Sequence, residues 1–168
     1  KEIGTGTTIL TPPIGSTAGA DVRGGAPGTR EVGALNPYNL VDTIDAIVLS
    51  GGSAWGLEAA SSAANFIGKS GRGFKASENI KNVPMVPAAI LFDLNNGGNK
   101  DWGDEAPYNN LGIEASTRAS EKFKLGNVGA GYGAKAGSLK GGLGSASFEN
   151  EEGLKIGGLF AVNSFGSV

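Results

Sequence analysis

Residues 45–60 read DAIVLSGGSAWGLEAA and combine a short strand signal, a glycine turn and a helix start. The apolar run at residues 46–49 has the β-branched content of a buried strand, and it stops at Gly51-Gly52. Ser53 belongs to a residue type that caps helices, so the sequence predicts a helix from about residue 54 to residue 68. A strand, a glycine turn and a capped helix bring backbone N–H groups to one point, where an anion or a developing oxyanion can bind.

The flanking segments predict more strands and helices around this unit. We expect strands at residues 5–10 and 86–92, a helix at 111–123, and a hairpin at 143–163 with its turn at 149–153. The small residues at 59–64 suit a helix that packs closely against a sheet. Because strands and helices alternate irregularly and strand pairing is both local and distant, the predicted fold class is α+β rather than a doubly wound sheet.

The composition limits the class of protein. The chain has 168 residues, 39% of them hydrophobic, and a net charge of −2, which fits one globular domain. Its lysines and arginines are scattered, so we expect neither a nucleic-acid partner nor an anionic membrane. The apolar runs are much shorter than a bilayer span, and the first four residues lack the apolar core of a signal peptide. We therefore expect a cytoplasmic location.

The absence of cysteine and histidine limits the chemistry. It excludes disulfides, cysteine nucleophiles, histidine zinc sites and a Ser-His-Asp triad built from this chain. Ser53 therefore has no histidine to activate it, and its glycine spacing differs from that of a nucleophile elbow. The same glycines match a dinucleotide-binding loop only incompletely. We interpret Ser53 as a helix cap.

Three further features have both a chemical and a structural interpretation. An acidic cluster surrounds Trp102 and consists of Asp101, Asp104 and Glu105. Its carboxylates either bind a metal ion that takes oxygen ligands or, as we predict, belong to a solvated loop. Lys140 follows a glycine-rich segment and either stabilises a transition-state charge or lies at the surface. Asn163 ends an apolar strand, where its amide either donates to an oxyanion or caps a turn.

Six segments, taken in order along nearly the whole chain, resemble the L-aminopeptidase/D-esterase family, which includes β-peptidyl aminopeptidases and nylon-oligomer hydrolases. The weakest stretches of this resemblance are residues 69–83 and 95–125. The matching segments are residues 21–31 (DVRGGAPGTRE), 46–60, 86–93, 126–131 (GNVGAG), 140–147 (KGGLGSAS) and 161–166 (AVNSFG).

The resemblance implies a fold and a mechanism. The fold is a four-layer α/β/β/α sandwich, related to that of ornithine acetyltransferases. The family's precursor cleaves itself before a Ser or Thr, whose freed α-amine then acts as the general base, so neither histidine nor a cofactor is required. That nucleophile begins a second, β chain beyond the Val-Asn-Ser-Phe-Gly segment. Residues 1–168 would then be a single domain, most of the α portion, with the sandwich incomplete and the chain inactive without the β chain.

The resemblance also assigns site residues. Asn163 matches the family's oxyanion donor. Lys140 substitutes for a family lysine whose place Ser138 takes, and Phe92 stands where some members carry a tyrosine. Beside these catalytic candidates, the substrate pocket is expected to be lined by Gly51, Gly52, Ser53, Trp55, Phe92, Gly129 and Gly131.

The expected function is hydrolysis of short peptides or amides that have a free amino end. The expected partners are the β chain of the same precursor and further copies of the processed αβ unit in a homo-oligomer. Two alternatives stay open at this point: acyl transfer of the ornithine acetyltransferase type, and a non-catalytic glycine-rich binding domain.

Overall fold

A mixed four-stranded sheet lies at the centre of the computed structural model, which describes residues 3–166. Its strands are β1 (Thr7–Leu10), β2 (Thr29–Arg30), β3 (Ile47–Ser50) and β4 (Ala88–Ile90), in the order β1-β3-β4-β2. The central pair β3–β4 is parallel, and the two outer pairs are antiparallel. This mixture of parallel and antiparallel pairs agrees with the predicted α+β class.

The helix after β3 begins later than predicted. A five-residue 3-10 helix spans Ser53–Leu57, and helix α1 follows at Glu58–Gly68. Ser53 is not a side-chain cap: Gly52 occupies the N-cap position, and Ser53 itself has a left-handed backbone with a φ of 53°. The reason is a tertiary contact, because the Ser53 N–H donates to the Leu91 carbonyl at 2.9 Å and fixes the turn against the end of β4.

Helix α1 packs closely, as its small residues predict. Helix α2 (Tyr108–Thr117) crosses it at Gly112, where an added Cβ would collide with the Ser62 hydroxyl of α1. The two helices bury a core on one face of the sheet, and such burial of apolar area is the main stabilising term of a fold. The buried members of this core are Ala46, Val48, Ala59, Ala60, Ala63, Ile67, Val86, Ala88 and Tyr108.

Two ribbons complete the fold. Strands β5 (Lys135–Ala136) and β6 (Leu139–Lys140) form a short one, and β7 (Gly142–Glu149) pairs with β8 (Lys155–Val162) in a long one. The long ribbon confirms the predicted hairpin, and its turn is closed by the Asn150 carboxamide oxygen, which accepts from two backbone N–H groups. A short 3-10 helix at Gly129–Gly131 joins the ribbons to the sheet.

Several other predicted element boundaries differ from the observed ones. The strand expected at 86–92 is only Ala88–Ile90, because Pro87 has no N–H to add to the ladder, and the strand expected at 5–10 begins at Thr7. Helix α2 begins three residues earlier than expected, directly after Pro107, and ends at Thr117. Beyond it Phe123 is exposed, so no buried face prolongs the helix. Within residues 3–166 no helix is long and apolar enough to cross a membrane.

Candidate functional site

Asn163 lies directly after β8, and three hydrogen bonds fix its side chain. Its Oδ1 accepts from the Lys135 N–H at 2.8 Å and from Asn96 Nδ2 at 3.0 Å. Its Nδ2 donates to the Phe92 carbonyl at 2.9 Å. These partners determine which end of the carboxamide carries oxygen. Since the amide has two N–H protons and Phe92 is its one acceptor within the described part of the chain, the second N–H can donate to an incoming oxygen.

Lys140 binds the backbone of residues 131–134, which lead to the Lys135 N–H that contacts Asn163. Its Nζ donates to the carbonyls of Ala134 at 2.7 Å, Gly131 at 3.0 Å and Gly141 at 3.3 Å. Burial lowers the pKa of Lys140, and the negative charge of Asp93 partly offsets this. The Ala134 carbonyl and the Lys135 N–H belong to one peptide group, so Lys140 and Asn163 bind its two ends. An ammonium on the carbonyl side polarises that peptide and strengthens its N–H bond to Asn163.

Residues 126–133, the glycine loop, pack too tightly for a side chain at Gly129 or Gly131. An added Cβ at Gly129 would collide with the Thr8 hydroxyl, and one at Gly131 would collide with the backbone N of Leu143. Gly129 also has a φ of 52°. Both glycines therefore serve the close approach of the loop to β1 and β7, and whether they also contact a substrate stays a prediction.

The Gly51-Gly52 turn is held by a carboxylate that our sequence analysis missed. Asp93 follows β4 and is completely buried. Its Oδ1 accepts from the Gly52 N–H and its Oδ2 from the Thr5 hydroxyl, both at 2.7 Å. The signal in the sequence was present: a carboxylate that directly follows an apolar strand, beside Phe92. A fully buried acid needs such partners, because an unpaired buried charge is costly.

Lys100 and Asn96 are two further polar residues that we did not predict. Lys100 Nζ donates to the carbonyls of Ile3, Gly4 and Gly97 at 2.6–2.9 Å. Burial lowers the pKa of Lys100, and the charge of Asp93 partly offsets this. Asn96 Nδ2 donates to the Gly133 carbonyl as well as to Asn163, both at 3.0 Å. Their roles depend on backbone contacts across the fold, which local sequence patterns do not encode.

Tyr108 gives a prediction for the dependence of stability on pH. Burial raises the pKa of its phenol from 10.0 to about 12, with the charge of Asp93 adding to this and a hydrogen bond with Thr5 opposing it. In the unfolded chain the phenol ionises near 10, so stability present below that pH should decline as the pH rises toward 12. A Tyr108→Phe variant should lose this part of the decline. Unfolding free energies between pH 8 and 11 in both proteins test it.

The remaining predicted pocket residues do not all lie together. The Phe92 carbonyl binds the Asn163 amide, and the Phe92 side chain is 53% exposed. The Gly51-Gly52 turn contacts Asp93, the next residue, and not Asn163 itself. Trp55 lies instead on a separate cavity of about 570 Å³, whose lining includes Glu58 and Glu105 but not Asn163 or Lys140. Its ring meets Trp102 edge-on at 6.2 Å. The acidic loop residues Asp101, Asp104 and Glu105 are exposed, as predicted for a solvated loop.

Comparison with known proteins identifies the family. The chain matches the profile described as Peptidase family S58 over residues 1–168. The chain belongs to peptidase family S58. This confirms the resemblance to the L-aminopeptidase/D-esterase family at the level of the family.

The similar S58 proteins carry aminopeptidase names. Uncharacterized aminopeptidases of Mycobacterium bovis and Mycobacterium tuberculosis are 42% identical over 163 residues, covering 97% of this chain and 46% of each relative. One from Mycobacterium leprae is 41% identical over 167 residues, covering 96% of this chain and 45% of the relative. This S58 chain therefore spans less than half the length of these relatives.

A solved structure shares the fold. The PH0078 protein from Pyrococcus horikoshii OT3 has a TM-score of 0.60 and 22% identity, and the match covers 99% of this chain and 43% of that one. At this identity the likeness concerns the fold alone. Together with the sheet and helices described above, it supports a mixed α+β peptidase fold for the S58 chain.

Proposed function

We propose that residues 1–168 are the α portion of a self-processing aminopeptidase or amidohydrolase that acts on short peptides or amides with a free amino end. The observation that carries this proposal is the Asn163 carboxamide, whose oxygen is fixed by two donors and whose nitrogen retains an N–H for an incoming oxygen. Membership of family S58 and the aminopeptidase names of the relatives support it.

The proposed chemistry uses an N-terminal Ser or Thr on a β chain. Its hydroxyl attacks the substrate carbonyl carbon while its own α-amine takes the hydroxyl proton, and that proton passes to the leaving amine as the C–N bond breaks. Water, activated by the same α-amine, then cleaves the acyl-enzyme ester, which releases the acid and restores the hydroxyl. Asn163 Nδ2 donates to the oxygen that becomes negative in the tetrahedral intermediate. Lys140 helps to hold the Asn163 side chain in place, because its Nζ binds the carbonyl of the Ala134–Lys135 peptide whose N–H donates to Asn163 Oδ1. This route needs neither histidine nor a cofactor, in agreement with a chain that has no histidine.

Two surfaces of the chain support a second half that would complete a four-layer sandwich. The outer face of the long ribbon is apolar and exposed, since Phe148 pairs with Ile156 and the neighbouring Phe160 and Val162 point the same way. An open groove of about 980 Å³ runs between this ribbon, β1 and the end of α2. A cluster of exposed apolar side chains is typical of a surface that another layer covers.

The remaining expectations form part of the same proposal. The β chain would come from the same precursor, and the processed αβ units would assemble as a homo-oligomer in the cytoplasm. The substrate is a small peptide or amide, without nucleic acid or membrane as partner, in keeping with a net charge of −2 spread along the chain.

The test is a pair of substrates given to the purified full-length protein. Alanine p-nitroanilide, which has a free amino end, should release p-nitroaniline, and its N-acetylated form should be cleaved far more slowly. Equal cleavage of both, or of neither, would contradict the proposed substrate class. A parallel incubation with acetylornithine and glutamate should yield no acetylglutamate, and its formation would indicate acyl transfer instead.

A further inference from the structure

Asp93 is a charged group that the proposed chemistry does not use. It is completely buried, yet it lies one residue from Phe92, whose carbonyl binds the Asn163 amide. Acids are almost never fully buried unless specific partners hold them. The partners of Asp93 therefore indicate what it contributes.

Those partners come from three separate parts of the chain. The Asp93 carboxylate binds the Gly52 N–H in the turn after β3 and the Thr5 hydroxyl before β1, at 2.7 Å each. It also packs against Gly51 and Gly133, because an added Cβ at either glycine would collide with its Oδ2. One carboxylate thus fixes the glycine turn, the N-terminal strand and the glycine loop against each other.

The same contacts lead directly to Asn163. The Gly133 carbonyl accepts from Asn96 Nδ2, and that nitrogen also donates to Asn163 Oδ1, both at 3.0 Å. On the other side, the Phe92 carbonyl accepts from Asn163 Nδ2 at 2.9 Å. Asn163 is therefore held between the backbone next to Asp93 and a loop that packs on its carboxylate.

We propose that Asp93 is a positioning residue that sets the Asn163 amide and the Gly51-Gly52 turn in a fixed relative orientation. Its catalytic consequence rests on the proposed function, whereas its effect on the Asn163 amide does not. The contribution is one of geometry: a carboxamide of the same shape can still accept from the Gly52 N–H and can donate to the Thr5 hydroxyl. A shorter or longer side chain cannot keep both contacts.

Three substitutions in the full-length protein separate geometry from charge. Asp93→Asn keeps the shape and should leave kcat within about threefold of wild type. Asp93→Ala should lower kcat about 10- to 100-fold with KM within about threefold, since a misplacement near 1 Å can cost that much. Asp93→Glu keeps the charge, but its longer side chain displaces Gly51 and Gly133, so kcat should fall at least about tenfold. The exposed Asp42→Ala serves as the matched control.

The measurements are kcat and KM per processed active site, Tm, and the side-chain amide signal of Asn163 in a ¹H–¹⁵N spectrum, assigned by its absence in Asn163→Ala. That signal should move in the Ala and Glu variants and stay in place in the Asn variant. The inference is overturned if Asp93→Ala has the kcat of wild type and its Asn163 amide signal does not move. If Asp93→Ala does not fold, the same two results in Asp93→Glu overturn it. If wild type itself cleaves no aminoacyl substrate, the proposed function fails, and the amide signal still tests Asp93.

Discussion

Replacing Asn163 by alanine should lower kcat of the mature enzyme about 100- to 1,000-fold and leave KM within a few-fold, because an oxyanion donor acts mainly in the transition state. The substrate still binds, but its developing negative oxygen loses the second N–H of a carboxamide that Lys135, Asn96 and Phe92 hold in place. Initial rates of p-nitroanilide cleavage over a range of substrate concentrations give both constants.

Two variants sharpen this prediction. Asn163→Asp keeps an acceptor for the Lys135 N–H but offers a negative oxygen where the amide nitrogen was, so it should be at least as inactive as Asn163→Ala. Asn79→Ala removes an exposed carboxamide elsewhere and should have wild-type kcat. An Asn163→Ala enzyme that processes and hydrolyses like wild type would show that Asn163 is only a turn cap.

The Gly52→Ala substitution should destabilise the protein by about 2–5 kcal/mol. Gly52 has a φ of 89°, and an added Cβ would collide with the ring of Tyr108, which is part of the buried core. A left-handed backbone costs an L-residue about 1–2 kcal/mol, and overpacking a core typically adds about 1–3 kcal/mol. Denaturant unfolding at constant pH measures this loss of stability as a lower denaturant concentration at the midpoint of unfolding.

Gly97→Ala is the matched control for that substitution. Gly97 has the same φ of 89°, but no atom lies within 4 Å of the place where its Cβ would be. Only the cost of the left-handed backbone remains, so Gly97→Ala should lower the free energy of unfolding by about 1–2 kcal/mol. Equal losses at the two glycines would mean that the contact between Gly52 and Tyr108 does not constrain the fold.

Local patterns predicted the elements that local contacts stabilise. The hairpin of β7 and β8 and the packing face of α1 followed from alternation, turn residues and small side chains, and all of these are properties of neighbouring residues. The family resemblance singled out Asn163, and the structure adds the three partners that orient it. Its catalytic role stays a prediction.

Long-range contacts account for what the sequence did not show. Ser53 has the composition of a helix cap, but its N–H bond to Leu91 places it in a left-handed turn, which no local rule anticipates. Asp93 binds Thr5 across 88 positions of the sequence and Gly52 across 41. Lys140 is exposed, as one of its two interpretations has it, but its Nζ also binds the carbonyls of Gly131 and Ala134, which no local pattern shows.

The most direct test of the proposed self-processing is N-terminal sequencing with intact-mass measurement of the purified full-length protein. Two chains should be found whose masses sum to that of the precursor plus one water, the first containing residues 1–168 and the second beginning with Ser or Thr. Replacing that residue by alanine should leave one uncleaved, inactive chain. A single intact chain that hydrolyses alanine p-nitroanilide at the full rate would contradict the proposed N-terminal nucleophile.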